Sequence, residues 1–369
     1  MTKTIVPLVD LSHQQIQIND LIREGFNRVI AESSFIMGPQ VGEFEEAWAR
    51  YCGVPFAMGV GNGTDAIEFA LRAAGAGPGT EVVLPANTFV ATAGAVQRCG
   101  ARVVLADCND HFLIDSAQAA DRVTAKTKAV IGVHLYGQPA AVEELRSAVP
   151  PDVAVVEDMA QAQGATRNGV RAGALGDVAA TSFYPGKNLG AYGDAGAVMS
   201  IRQEFAERVR RLRNHGGINR YEHLEVGFNS RLDTLQAVVL NAKLALLDQW
   251  NSQRVEAAIR YQQLLDDLEM MTLPKAAIGN GHVFHLYVVR VPDRDRVVRE
   301  LNAAGIGAGI HYPSPVHLLP AYAHLGHQKG DFPTAEEQSA EIMSLPLFPG
   351  ITAGQQEQVA DCLRRVLGA

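Results

Sequence analysis

The stretch VAATSFYPGKNLGAYGDAGAV, residues 178–198, places a single lysine in a loop between two apolar segments. The segments VAATSF (178–183) and AVMSI (197–201) are short and apolar enough to form buried strands. Lys187 is the only charged residue from position 178 to 193, and Gly, Pro and aromatic residues surround it. A lone lysine is normally solvated at the surface. In apolar surroundings its pKa falls, and the amine becomes a nucleophile able to form a Schiff base.

Further apolar runs of this kind precede the lysine loop, and turn signals or helical patterns separate them. They are FAMGV (56–60), EVVLP (81–85), RVVLA (102–106), KAVIGV (128–133) and VAVVED (153–158). Helical patterns cover about 14–31, 41–51 and 64–74. Strands that are apolar on both faces are typical of a mostly parallel sheet with helices on each side. The sequence therefore predicts a large α/β domain.

The C-terminal third has a different pattern. One long helical pattern runs from about 232 to 269, and beyond Pro274 we expect a strand, a helix, a second strand and two terminal helices. We interpret this part as a smaller α+β domain. The predicted division is a large domain over 1–245, which includes an N-terminal helical segment, and a small domain over 246–369. A length of 369 residues agrees with two domains.

Composition and charge exclude several classes of protein. Hydrophobic residues at 47% and charged residues at 20% exclude a mainly disordered chain. A net charge of −8 argues against a general nucleic-acid binder. No signal peptide or membrane-length apolar run is evident, so we expect a cytoplasmic protein. The segment 208–220 nevertheless carries five arginines, which form either a solvated helix face or a receptor for an anionic ligand.

Cysteine and histidine spacing does not favour a metal site. The cysteines lack a C-x-x-C pair, so buried free thiols are expected; they are Cys52, Cys99, Cys108 and Cys362. His282 and His285 lie in an apparent strand, HVFHLYVVR. Residues three apart on a strand point to opposite faces, so these two histidines are not expected to share a metal ion.

The segment GVGNGTDAIEFAL (59–71) places glycines between a strand and a helix. Glycines let backbone N–H groups approach a phosphate closely, and the helix N-terminus adds partial positive charge. The alternative is a tight turn without a ligand. The spacing matches neither G-x-G-x-x-G nor G-x-x-x-x-G-K-[ST], which argues against NAD and ATP enzymes. Gly63 and Thr64 are thus candidate phosphate-binding residues.

The segment VAVVEDMAQAQGA (153–165) ends an apolar strand in a carboxylate. Open α/β sheets bind ligands at the carboxyl ends of their strands, so Asp158 is a candidate site residue. The alternative is a helix N-cap. A phosphate cradle, a strand-end aspartate and a desolvated lysine are together the parts that pyridoxal phosphate needs. Phosphate would bind at Gly63 and Thr64, the pyridine nitrogen would pair with Asp158, and the aldehyde would link to Lys187.

These motifs, with others along nearly the whole chain, resemble the DegT/DnrJ/EryC1/StrS family of pyridoxal-phosphate-dependent sugar aminotransferases. The matching segments include VLPANTFVATAGAV, HLYGQPA, RLRNHG, FNSRLDTLQAVVL and GIHYPSPVHLLPAY. The resemblance implies the aspartate aminotransferase fold, fold type I. It also implies that Ser182 binds the phosphate, Gln161 the ring hydroxyl, and Phe89 the ring face. Asn229 would reach the phosphate of the neighbouring subunit's cofactor, which implies a homodimer with shared active sites.

The resemblance further implies the reaction. Lys187 would be the catalytic amine, since members with histidine at that position act as dehydratases. The amino group would pass from L-glutamate to a nucleotide-linked ketosugar, a dTDP-3-keto-6-deoxyhexose, giving a dTDP-3-amino sugar. Candidate sugar contacts are Tyr184, Tyr221, His311, Tyr312 and His317. The alternatives are a keto-inositol aminotransferase, a 4-ketosugar aminotransferase, and a regulator that binds pyridoxal phosphate without turnover.

Overall fold

The computed structural model describes residues 5–368. The α-helices in this range are α1 Ser12–Glu32, α2 Pro39–Cys52, α3 Gly63–Ala73, α4 Val90–Arg98, α5 Ser116–Asp121, α6 Val142–Ala148, α7 Gln203–Leu212, α8 Thr234–Leu244, α9 Leu247–Leu265, α10 Arg294–Ala303, α11 Pro333–Glu341 and α12 Ala353–Leu367. The strands are β1 Phe56–Val60, β2 Glu81–Pro85, β3 Arg102–Ala106, β4 Thr127–Val133, β5 Ala154–Asp158, β6 Thr166–Arg167, β7 Val170–Arg171, β8 Val178–Ser182, β9 Gly196–Ser200, β10 Gly217–Asn219, β11 Glu222–His223, β12 Asn280–Gly281, β13 Tyr287–Arg290 and β14 Ile342–Leu345. None of the helices in the described range is long and apolar enough to span a bilayer.

A seven-stranded sheet forms the centre of the molecule, in the order β1-β9-β8-β5-β4-β2-β3. The apolar runs predicted as strands all form strands of this sheet, with ends that agree to within one residue. Neighbouring strands from β8 to β3 are parallel, whereas β9 is antiparallel to both β8 and β1. The predicted large, mostly parallel α/β sheet is therefore confirmed.

Alternate side chains of each central strand enter different cores, which explains why the strands are apolar on both faces. On β2, Val82 and Leu84 pack with Phe69 of α3, while Val83 between them packs with Leu145 of α6. Helices thus cover both sides of the sheet, as the sequence predicts.

A further core lies in the C-terminal part of the chain. It joins the antiparallel pair β13 and β14 to α9, α10 and α12, and it includes Val6 from the N-terminal segment. Leu286 and Val288, however, pack with the core of the large sheet. The division at residue 245 stays a prediction.

The prediction of one long helix over 232–269 is wrong. Helix α8 ends at Leu244 and α9 begins at Leu247, so two residues separate the two helices. The two helices pack against different partners, α8 on α1 and α2 and α9 on α12. The apolar periodicity continues across the break, so it does not indicate where one helix ends and the next begins.

The prediction of a strand through HVFHLYVVR is only partly correct. Strand β13 begins at Tyr287, and the backbone N–H groups of Val283 and Leu286 bind the carbonyls of Gly137 and Tyr136 instead of a neighbouring strand. His282 and His285 therefore do not lie in a regular strand, and the argument that they point to opposite faces of one does not apply. The order after β13 also differs from the prediction, because the second strand, β14, lies between the last two helices α11 and α12.

The site is positioned at one edge of the sheet. Strands β1, β2, β4, β5 and β8 run in the same direction, so their carboxyl ends meet at this edge. Asp158 is the last residue of β5, and Ser182 is the last residue of β8. Ser182 pairs directly with Gly196, so the Lys187 loop connects two adjacent strands in register.

Candidate active site

A cavity of about 410 Å³ opens at the carboxyl edge of the sheet. Its lining includes most of the site residues predicted from the sequence: Gly63, Thr64, Phe89, Asp158, Gln161, Ser182, Tyr184, Lys187, His311 and Tyr312. They come from separate parts of the chain, which the folding of the sheet brings together.

The floor of the cavity at the start of α3 is shaped to accept an anion. Asn62 caps this helix, its side chain accepting a hydrogen bond from Asp65 N at 2.8 Å. The backbone N–H groups of Gly63 and Thr64 make no hydrogen bond within residues 5–368, which leaves them free to donate to a ligand. A Cβ at position 63 would lie 2.5 Å from the Cβ of Ser182. Glycine is therefore required for this close approach.

Asp158 is buried at the end of β5. Thr92 Oγ1 donates to its Oδ2 at 2.8 Å, and Ala160 N donates to Oδ1 at 3.2 Å. Burial raises the pKa of Asp158, although these hydrogen bonds and the charge of Lys187 partly oppose that rise. A turn follows Asp158 and no helix begins there, so the N-cap alternative is wrong.

Lys187 lines the same cavity from a compact loop. Lys187 N donates to Tyr184 O at 2.8 Å, and the loop closes where Ala191 N donates to Phe183 O at 2.7 Å. Burial lowers the pKa of Lys187 to about 8, and Asp158 opposes part of that shift. The desolvated, reactive amine expected from the sequence is therefore what the surroundings of this lysine produce.

Hydrogen bonds order the side of the cavity facing the C-terminal part of the chain. Gln161 Oε1 accepts from Tyr136 N at 2.7 Å, so its Nε2 donates to Tyr312 Oη at 3.0 Å. The rings of Tyr312 and Phe89 lie 5.0 Å apart between centroids. His311 Nδ1 is 2.8 Å from Ser344 Oγ.

Three of the predicted residues lie outside this cavity in the single chain. Asn229 is exposed and forms a β-bridge with Asn214. Tyr221 is 83% exposed in the β10–β11 hairpin. His317 is buried with its Nε2 3.0 Å from Glu336 Oε1. Their roles stay predictions.

The arginine-rich segment 208–220 is mostly occupied by contacts within the protein. Arg208 and Arg211 both pair with Glu225, and Arg213 pairs with Glu45 and donates to Gly59 O. The remaining two arginines of the segment lie over aromatic rings. This arrangement favours a structural role over an anion receptor.

Sequence reasoning missed two residues of the site. Thr92 contacts Asp158 from the first turn of α4, and its motif gave no sign of which partner it would meet. His285 lines the cavity, and Asn188 Oδ1 lies 3.1 Å from its Nδ1. The sequence predicts a regular strand through His285, and that prediction gave no reason to expect the histidine at the cavity.

The residues present fit pyridoxal phosphate. The free N–H groups at the start of α3 suit its phosphate, the Asp158 carboxylate suits the protonated ring nitrogen, and the Lys187 amine suits the aldehyde. The topology of the sheet and the cavity at its carboxyl edge together indicate the class of enzyme. The chain is a pyridoxal-phosphate-dependent transferase of fold type I.

Within that class, the chain belongs to the DegT/DnrJ/EryC1/StrS aminotransferase family, whose model matches residues 17–364. The resemblance read from the motifs is confirmed. A Geobacillus stearothermophilus relative called pleiotropic regulatory protein is 44% identical over 96% of this chain and 97% of its own length. The Streptomyces venezuelae dTDP-3-amino-3,4,6-trideoxy-alpha-D-glucose transaminase is 42% identical over 97% of this chain and 95% of its own.

Solved structures agree with the fold. The crystal structure of S. venezuelae DesV, described as a complex with a ketimine intermediate, superimposes with a TM-score of 0.96. It is 41% identical in sequence and covers 99% of each chain. The predicted fold class is confirmed, and the chain is an aminotransferase.

Proposed function

We propose that this aminotransferase moves an amino group from L-glutamate to the C3 keto group of a dTDP-linked 3-keto-6-deoxyhexose. The observation that carries the proposal is the single cavity that joins the buried Lys187 amine, the Asp158 carboxylate and the open N-terminus of α3. The Streptomyces venezuelae relative, named as a transaminase of a dTDP-3-amino sugar, supports the nucleotide-linked ketosugar.

The roles of the chain's own groups follow from their positions. Gly63, Thr64 and Ser182 bind the phosphate, and Asp158 holds the proton on the pyridine nitrogen. When bound, pyridoxal phosphate supplies an aldehyde for the amino groups and a ring that withdraws electrons. Lys187 Nζ would take the proton from the α-carbon of the amino donor and deliver it to the cofactor carbon that carried the aldehyde, because its lowered pKa leaves part of the amine neutral near pH 7.

Sugar recognition falls to the groups around the mouth of the cavity. His311 and Tyr312 lie in the segment that prolines 313, 315 and 320 stiffen. Tyr184 is 59% exposed beside Lys187, with its hydroxyl available for a sugar. A site built from such donors and acceptors discriminates strongly, since a misoriented substrate leaves buried polar groups without partners.

The proposal includes a homodimer with shared active sites. Support comes from the β10–β11 hairpin and the residues directly after it, where Tyr221, Leu224 and Val226 are 83%, 63% and 92% exposed. Several large apolar side chains exposed within six residues are typical of surfaces that bind other proteins. Asn229, at the base of this segment, is also exposed. A second copy of the chain would cover these residues and bring Asn229 to its cofactor phosphate.

Three alternatives remain to be separated by experiment. A keto-inositol aminotransferase and a 4-ketosugar aminotransferase would use the same cavity with another acceptor. The third alternative is a regulator that binds pyridoxal phosphate without turnover, and the name of the Geobacillus stearothermophilus relative, pleiotropic regulatory protein, favours it. Against it, the buried amine of Lys187 has the lowered pKa that catalysis requires. The cytoplasmic location expected from the sequence stays a prediction.

One experiment tests both the reaction and its regiochemistry. Purified holoenzyme is mixed with L-glutamate and, separately, a dTDP-3-keto-6-deoxyhexose, a dTDP-4-keto-6-deoxyhexose or scyllo-inosose. We expect 2-oxoglutarate to form with the 3-ketosugar and the NMR spectrum of the product to place nitrogen on C3. Nitrogen on C4, or turnover with scyllo-inosose alone, would support the corresponding alternative. A cofactor spectrum that glutamate does not change, with no turnover, would support the regulator.

A further inference from the structure

Tyr136 is a buried tyrosine whose three polar groups each bind a different segment of the chain. Its N–H donates to Gln161 Oε1 at 2.7 Å, and its carbonyl accepts from Leu286 N at 3.3 Å. Its hydroxyl donates to the backbone carbonyl of His311 at 2.5 Å. The residue is only 4% exposed. Tyr136 therefore joins the loop after β5 to two segments of the C-terminal part of the chain.

The backbone of Tyr136 has a conformation that residues with a bulky side chain rarely adopt. Its φ is 61° and its ψ is −1°, and a positive φ favours glycine. Such a conformation persists only where the surrounding contacts determine it, and it is concentrated at functional sites. The next residue, Gly137, permits a close approach of the chain at 283–286, since a Cβ there would lie 2.8 Å from His285 N. The turn after β4 is thus shaped by its contact with the C-terminal part.

The direction of the hydrogen bond between Tyr136 and His311 is fixed. Burial raises the pKa of Tyr136 well above its usual value, and the neighbouring Tyr312 raises it further. The phenol therefore stays protonated and donates, because a backbone carbonyl can only accept. Within residues 5–368 no other group donates to the carbonyl of His311. Loss of the hydroxyl would leave this carbonyl without a partner in the chain and loosen the segment that carries it.

A second route connects Tyr136 to the neighbouring Tyr312. The amide of Gln161 that accepts from Tyr136 N donates from its Nε2 to Tyr312 Oη at 3.0 Å. The ring of Tyr312 in turn lies 5.0 Å from that of Phe89. Two adjacent residues of the cavity wall, His311 and Tyr312, are thus both held by Tyr136, the first directly and the second through Gln161.

We propose that Tyr136 is a positioning residue for the keto acceptor, and that it acts by setting the place of His311 and Tyr312 relative to Gln161. The inference rests on the proposed function, in which His311 and Tyr312 contact the sugar. Tyr136 does not itself line the active-site cavity. It therefore affects how the acceptor is held and leaves the proton transfer at Lys187 unchanged.

Tyr136→Phe tests this role, because it removes only the hydroxyl. The contact of the ring with Phe112 and the bond from the N–H to Gln161 remain. We expect the acceptor half-reaction to slow about tenfold while the glutamate half-reaction changes less than about twofold. Single-turnover absorbance of the cofactor gives both rates, with whichever of the three acceptors named above supports turnover. Equal losses in both half-reactions, or no loss in either, would overturn the proposal.

Tyr261→Phe is the matched control. Tyr261 is fully buried on α9 and donates to Pro346 O at 2.9 Å, so this variant also deprives a backbone carbonyl of a tyrosine hydroxyl. It does not line the active-site cavity. We expect the midpoint of thermal unfolding to fall in both variants, with both half-reactions of the control within about twofold of wild type. A selective loss of the acceptor half-reaction in the control as well would assign the effect to lost stability and overturn the proposal.

A double-mutant cycle tests whether Tyr136 acts through His311. In His311→Ala the ring that the carbonyl bond places is already gone. We therefore expect Tyr136→Phe to slow the acceptor half-reaction less than about threefold further in that background. Residues that act independently would multiply their effects, so a further loss of about tenfold would contradict the proposed route.

Amide hydrogen exchange of the holoenzyme, read by mass spectrometry, tests the contact without any substrate. We expect peptides that cover 307–319 to exchange about fivefold faster in Tyr136→Phe than in wild type and to be unchanged in Tyr261→Phe. Unchanged exchange in Tyr136→Phe would contradict the contact, whichever acceptor the enzyme uses. If none of the three acceptors is turned over, the proposed function fails and the role towards the acceptor fails with it. Turnover without the difference between the half-reactions rejects this inference alone.

Discussion

Thr92 Oγ1 lies 2.8 Å from Oδ2 of Asp158, so the first turn of α4 orients the carboxylate at the end of β5. The threonine is itself buried, and its hydroxyl also contacts Thr88 Oγ1 at 2.7 Å. The hydrogen bond favours the ionised form of Asp158 in surroundings that otherwise raise its pKa. Helix α4 thus orients the carboxylate that we propose as the partner of the ring nitrogen.

Removing that hydroxyl should impair catalysis through Asp158. Thr92→Val keeps the shape but loses the donor, so the pKa of Asp158 rises further and the acid limb of the kcat profile moves to higher pH. We expect kcat to fall about tenfold, within the range for a lost hydrogen bond to a charged group. Thr92→Ser should retain most activity. Steady-state rates across pH check this, and equal activity in both variants would contradict it.

Lys187→Ala should abolish turnover while the protein still folds and holds the cofactor noncovalently. Contacts at Gly63, Thr64 and Asp158 remain, whereas the group that moves the proton is lost. Transamination assays, circular dichroism and the cofactor absorbance after gel filtration measure these outcomes. Residual activity above about one thousandth of wild type would reject the assignment.

The pH dependence of cofactor uptake should report the amine of Lys187. Only the neutral amine attacks an aldehyde, and a pKa of about 8 leaves about one tenth of it neutral at pH 7 and about nine tenths at pH 9. The rate at which apoenzyme incorporates pyridoxal phosphate should therefore rise about tenfold between these values and then level off. A rise that continues towards pH 10.5 would mean an unshifted lysine.

Variants at the mouth of the cavity should separate the two half-reactions. Tyr312→Phe removes the hydroxyl that accepts from Gln161 Nε2, and His311→Ala removes the ring bonded to Ser344. We expect each variant to slow the ketosugar half-reaction about tenfold or more while the glutamate half-reaction changes less than about threefold. Single-turnover absorbance measurements with each substrate give the two rates. Equal damage to both would contradict the assignment.

Subunit exchange tests the shared active site. Lys187→Ala and an Asn229→Ala variant of low activity are mixed and allowed to exchange. If Asn229 serves the partner's cofactor, a hybrid dimer contains one active site with both residues intact, so about a quarter of wild-type activity should return in an equal mixture. A mixture that never exceeds its parents, despite exchange seen by native mass spectrometry, would refute sharing.

The central sheet could be predicted closely because each strand is a short apolar run between turn signals, as at 81–85 and 102–106. The break between α8 and α9 could not, because the apolar periodicity is continuous across it and only tertiary packing divides it. Likewise the chain at 283–286 binds the loop around Gly137 instead of a strand. These backbone hydrogen bonds depend on residues that are distant in sequence.

The candidate site shows the same distinction. Gly63, Asp158 and Lys187 could be predicted because each has a local reason, a turn, a strand end or an uncharged loop. Thr92 and His285 could not be, since their importance comes from partners 66 and 97 residues away, respectively. A single sequence carries no local signal for such pairs.

The Lys187 loop departs from Ser182 and returns at Gly196, two residues that face each other on the paired strands β8 and β9. Both ends are therefore fastened to paired strands, and hydrogen bonds from Lys187 N to Tyr184 O and from Ala191 N to Phe183 O tie the loop to itself. We expect travel of the amine during a reaction to come mainly from rotation about the four carbon–carbon bonds of its own side chain. Engineering that aims to widen substrate choice should accordingly spare this loop and alter the opposite wall, around Tyr312, where the lining comes from the C-terminal part of the chain.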